Sequence, residues 1–95
     1  MTLTSKQRAE LRAQAHHLSV ALHIGHSGVT DAVRRALDET MRNTELVKIQ
    51  FSKNSPETPK QAANALAASV GAEVVQAIGR TASLYRPRPR PSDAV

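Results

Sequence analysis

A turn of sequence Gly25-His26-Ser27-Gly28 separates an apolar run, Val20-Ala21-Leu22-His23-Ile24, from a segment beginning at Asp31 whose apolar residues recur at four-residue steps. The run predicts a strand, and the segment predicts a helix that Thr30 can cap. A strand, two glycines and a helix start in that order restrict the chain to folds that mix sheet and helix. They also bring unpaired backbone N–H groups and the positive end of a helix dipole to one spot. Two missing side chains let a sugar-phosphate backbone come close to the main chain. Glycines also occur at such junctions simply because the chain must turn. The motif alone therefore supports either a structural turn or a backbone clamp.

The rest of the chain continues the alternation. Thr4-Ser5-Lys6-Gln7 fits a capping box, opening a helix to about His16 with Ala9, Leu11, Ala15 and Leu18 on its apolar side. The helix from Asp31 to about Asn43 buries Val33, Ala36, Leu37 and Met41, while Arg34, Arg35, Asp38 and Arg42 face elsewhere. Glu45 to Ser52 alternates as a strand, with Val47, Ile49 and Phe51 on one face and Lys48, Gln50 and Ser52 on the other. Thr58 caps a third helix with Pro59 in its first turn and Gly71 as its stop, packed inward by Ala62, Ala63, Ala65, Leu66 and Val70. Glu73 to Ile78 and Ala82 to Arg86 form a hairpin around Gly79-Arg80. The predicted order is α-β-α-β-α-β-β. Helices between strands imply some parallel pairing, and the final hairpin makes the sheet mixed.

Ninety-five residues allow one domain and one modest core, so a deep cofactor pocket is not expected. Residues 1–86 constitute that domain. The segment Arg86-Pro87-Arg88-Pro89-Arg90-Pro91 reads as an extended cationic tail over 87–95, able to touch phosphates or serving only as a solubilising terminus. The chain has no cysteine, which removes disulfides and thiolate ligands, and no apolar run approaches the roughly 20 residues of a membrane span. A cytoplasmic protein is the expectation. Thirteen Lys and Arg against eight Asp and Glu give a net charge of +5, which favours an anionic partner. Phe51 and Tyr85 are the only aromatics, too few for a base-stacking platform. Recognition is then expected to rest on backbone charge and shape.

The four histidines, His16, His17, His23 and His26, lack ligand spacing for a metal, and His26 beside Ser27 lacks the elbow of a nucleophile. No catalysis, metal, cofactor or small-molecule substrate is expected. Gly-x-x-Gly turns that clamp nucleotides by their phosphates occur in KH domains, and here Arg34 and Arg35 lie one turn into the following helix.

Four segments in register resemble the YhbY family of bacterial RNA-binding proteins, whose fold is the CRM domain. They are Leu3-Thr4-Ser5-Lys6-Gln7-Arg8, Ile24-Gly25-His26-Ser27-Gly28-Val29-Thr30, Glu45-Leu46-Val47-Lys48-Ile49, and Gln76 to Thr81 leading to Leu84-Tyr85-Arg86-Pro87. The resemblance implies a single two-layer α/β domain with a mixed four-stranded sheet, similar to the C-terminal domain of a bacterial translation initiation factor. It further implies binding to structured RNA in precursors of the large ribosomal subunit and a role in ribosome assembly. Gly25, His26, Ser27 and Gly28 are the implied RNA contact, and the basic residues near them, Arg34, Arg35, Lys48, Lys53, Arg80, Arg86 and Arg88, would supply attraction. Related loops often place a lysine between the glycines. His26 and Ser27 stand there instead, so this loop depends more on its backbone N–H groups. A nonspecific DNA-binding protein and a basic protein-interaction adaptor are the rival readings of the same charge.

Overall fold

A computed structural model describes residues 3–87, which follow the expected order of elements. Helix α1 (Ser5–Ala15) opens on the capping box: Gln7 N–H donates to Thr4 Oγ1 at 3.1 Å, and Thr4 N–H donates to Gln7 Oε1 at 2.9 Å. Strand β1 (Leu22–Ile24) is shorter than the apolar run suggests, although Ala21 N–H still donates to Lys48 O at 2.9 Å. Helix α2 (Asp31–Asn43) has the expected limits, with Val33 N–H donating to Thr30 Oγ1 at 3.2 Å. Strand β2 (Leu46–Phe51) leads to helix α3 (Pro59–Val70), which carries a second capping box between Thr58 and Gln61. Gly71 ends α3 in the left-handed conformation, φ 70°. Strands β3 (Glu73–Ile78) and β4 (Thr81–Tyr85) form the hairpin.

The sheet has the order β1-β2-β4-β3, with β1 and β2 parallel and the other two pairs antiparallel. The parallel pair exists because α2 carries the chain back between β1 and β2. Alternation along β2 divides the interior. Val47, Ile49 and Phe51 join Ile24, Leu37, Met41, Leu66 and Leu84 on one face. Leu46 points to the other face, with Leu3, Ala15 and Val75. Helices α2 and α3 therefore complete the two layers expected, while α1 lies across part of the opposite face. Because α1 covers so little of the sheet, its buried stripe is narrow, and Ala9 is exposed rather than buried. Ala65 of α3 is exposed as well.

An irregularity between Val74 and Gln76 interrupts the edge strand β3. The Arg8 guanidinium of α1 donates to the carbonyls of Val74 and Val75 there, satisfying acceptors that a bulged edge otherwise leaves open. The pairing register fixes what meets where. Ile24 lies opposite Phe51 and Gln50 opposite Thr81, so the ends of β1 and β2 and the β3–β4 hairpin share one end of the sheet. Tyr85 lies opposite Leu46, which puts the exit of β4 at the other end.

Candidate nucleic-acid interface

Ile24 O accepts from Ser52 N–H at 2.8 Å, and the chain then leaves the sheet through a turn closed by Gly28 N–H donating to Gly25 O at 3.0 Å. Gly25, His26 and Ser27 are exposed and Gly28 is buried. Neither His26 nor Ser27 hydrogen-bonds to another described residue, so both present backbone and side-chain donors outward. The capped start of α2 follows within three residues, adding the positive end of its dipole.

The two glycines of the motif serve different ends. A Cβ built at Gly25 would meet nothing within 4 Å, so its main chain is open to approach from outside. Gly28 has φ +68°, and a Cβ there would strike the Glu57 carboxylate and come within 2.8 Å of Pro56 Cγ. The sequence reading takes Gly28 as a point of ligand approach, and in the structure this position is buried. What comes close to its main chain is the protein's own β2–α3 connection. Glu57 Oε1 also accepts from Val29 N–H at 3.3 Å, while Glu57 Oε2 is buried without a partner among the described residues. Sequence reasoning passed over Glu57, which is 28 residues from Val29 and linked to it by no local pattern.

The structure brings some of the expected cations to this end and leaves others away from it. Lys53 in the β2–α3 connection and Arg80 at the hairpin tip are exposed and line one depression with Ser52, Ser55 and Glu57. Ser52 also borders a second depression with Gly25, His23 and Gln50, so the two meet beside the glycine turn. Arg80 is held there by the backbone, its carbonyl accepting from Phe51 N–H at 2.7 Å. On the first turns of α2, Arg35 is exposed, whereas Arg34 pairs with Asp31 at 2.7 Å and is partly neutralised by it. Lys48, half-buried, lies in mid-β2 on the α1 side of the sheet, in a groove with Ala15, His16 and Gln76.

Arg86 does not belong to this surface. Its position follows β4 at the opposite end, and its guanidinium donates to Asp38 Oδ1 and Val70 O at 2.8 Å each and to Asp38 O at 3.2 Å. Those bonds turn the Arg86 side chain inward, where it joins α2, α3 and β4. The same guanidinium, chiefly by hydrogen bonding, holds the Asp38 carboxyl below its ordinary range, with Arg42 adding to the effect. Arg88 and the rest of the Arg-Pro segment after Pro87 lie outside the described residues.

Among the described residues, no group of three or more His, Cys, Asp or Glu is arranged to hold a metal ion, and no helix is long and apolar enough to cross a membrane. What the surface offers is a set of hydrogen-bond donors flanked by cations. Comparison with known proteins gives this arrangement its family. The chain is 36% identical over 84 residues to "Probable RNA-binding protein YqeI" of Bacillus subtilis (strain 168), covering 88% of each chain. It is 34% identical over 86 residues to "RNA-binding protein" of Haemophilus influenzae, covering 90% of this chain and 87% of the relative. The solution structure of the hypothetical protein SAV1595 from Staphylococcus aureus superposes with a TM-score of 0.81 at 31% identity, covering 95% and 94% of the two chains. Residues 3–86, from the residue before the first cap to the arginine that closes the sheet, match the CRS1 / YhbY (CRM) domain, and the chain belongs to that family.

Proposed function

We propose that this protein binds RNA, holding its backbone across the glycine turn, and that it associates with precursors of the large ribosomal subunit and assists their assembly. The reading is carried by an exposed turn whose His26 and Ser27 donors have no partner within the described residues, set beside Lys53 and Arg80. Backbone N–H groups at a helix start suit phosphate oxygens. With Phe51 buried in the core and Tyr85 packed near α1, base stacking has no platform, and contacts of this kind follow backbone and shape. Relatives named for RNA binding support the same ligand class.

Competition binding at fixed salt tests the ligand: structured RNA displaces a labelled RNA at lower concentration than duplex DNA of equal length. Equal affinities would remove the preference for RNA. Sedimentation of a cell extract tests the assembly role, with the protein expected in the fractions that hold the large-subunit precursor. A protein found wholly at the top of the gradient would count against that role and favour an adaptor.

A further inference from the structure

We propose that Glu57 is a positioning residue that sets the binding geometry of the glycine turn from beneath. This rests on the reading of that turn as an RNA contact. The carboxylate comes from the β2–α3 connection, far along the chain, and makes two engagements at the turn. Oε1 accepts from Val29 N–H at 3.3 Å, and the carboxylate packs against Gly28, the one position in the turn that has no room for a side chain. Val29 follows Gly28 directly and precedes the Thr30 cap, so a clamp at that N–H fixes both the turn and the entry into α2. With Gly28 pinned on its inner side, Gly25, His26 and Ser27 are presented outward. Preorganised donors bind more tightly than mobile ones because the ordering cost falls on folding rather than on binding.

The second carboxylate oxygen gives the arrangement a further signature. Glu57 Oε2 is buried with no hydrogen-bond partner among the described residues, a costly setting for a polar atom. The useful part of the side chain is its reach, because one acceptor oxygen on a two-carbon stem meets Val29 N–H. A negative charge beneath a phosphate-binding turn does not favour the bound anion.

Reach and charge are separable. Glu57→Gln keeps the stem and the acceptor and removes the charge, whereas Glu57→Asp keeps the charge and shortens the stem. RNA affinity of the full chain is expected to stay within about twofold of wild type in E57Q. It is expected to fall about fivefold in E57D and E57A, the size of one hydrogen bond. The slope of log affinity against log salt should not change in any of them, since every Lys and Arg that could meet a phosphate is still present. Amide hydrogen exchange at Val29 should quicken in E57D and remain slow in E57Q. Should E57A fail to fold, the E57Q and E57D pair still decides. Wild-type affinity in E57D, or weakened binding in E57Q alone, overturns the proposal. Gly25→Leu is the control on the underlying reading. If it weakens binding while E57D does not, only the role of Glu57 fails; if wild type binds no structured RNA, the reading of the turn fails first.

Discussion

At single residues the two glycines of the turn make opposite predictions. Gly25 has open space around it and no left-handed backbone, so Gly25→Leu should leave unfolding free energy within about 0.5 kcal/mol. The same change should weaken RNA binding by keeping the phosphate backbone away from the main chain. Gly28→Ala combines a left-handed φ with a collision against Glu57 and Pro56. It should cost about 1–3 kcal/mol, measured by denaturant unfolding, whether or not RNA is present. Asp38 carries a different prediction. Its carboxyl is held below the ordinary range, first by the Arg86 hydrogen bond. A depressed folded value means the Asp38–Arg86 pair stabilises fully above the unfolded value, about 3.9, and ceases to do so as pH falls through the folded one. The melting temperature of Asp38→Asn should therefore lie below wild type at pH 7, with the difference shrinking on acidification below about 4. A constant difference would refute this linkage.

Among the elements, helix α2 is the one that joins fold to site. Its start is secured by Thr30 and its inner stripe by Leu37 and Met41. Thr30→Ala should cost about 1 kcal/mol and loosen the turn just before it. Leu66→Ala in α3, at a fully buried position, should cost about 2–5 kcal/mol. Both follow from chemical denaturation, but only the Thr30 change is expected to alter RNA affinity after correction for the unfolded fraction. Helix α1 contributes in another way: Arg8 covers the irregular edge of β3. That bonding leaves the glycine end of the sheet untouched, and Arg8→Ala should leave RNA affinity unaltered.

For the whole molecule, what matters is how the +5 charge is distributed. Lys53 and Arg80 stand exposed at the end of the sheet that carries the turn, while Arg86 is consumed at the other end. Removing Lys53 and Arg80 together should flatten log affinity against log salt by up to about 0.9 for each duplex phosphate no longer neutralised. Arg86→Ala should lower the melting temperature and leave that slope unchanged. A marked flattening in Arg86→Ala would mean that its guanidinium leaves Asp38 to meet RNA.

The elements and their order follow from local signals along the chain. Thr4, Thr30 and Thr58 each cap a helix with a partner three residues on, and the alternation of Val47, Ile49 and Phe51 assigns the inner face of β2. Those signals act within four residues, so they are legible along a chain. The glycine turn was legible for the same reason. Tertiary packing alone sets which side of that turn faces solvent, that Glu57 lies against the left-handed Gly28, and that α1 crosses the far face of the sheet. It also decided that Arg86 belongs to Asp38, 48 residues away. Pairings at such separations leave no periodic trace, because their geometry exists only once the strands have paired.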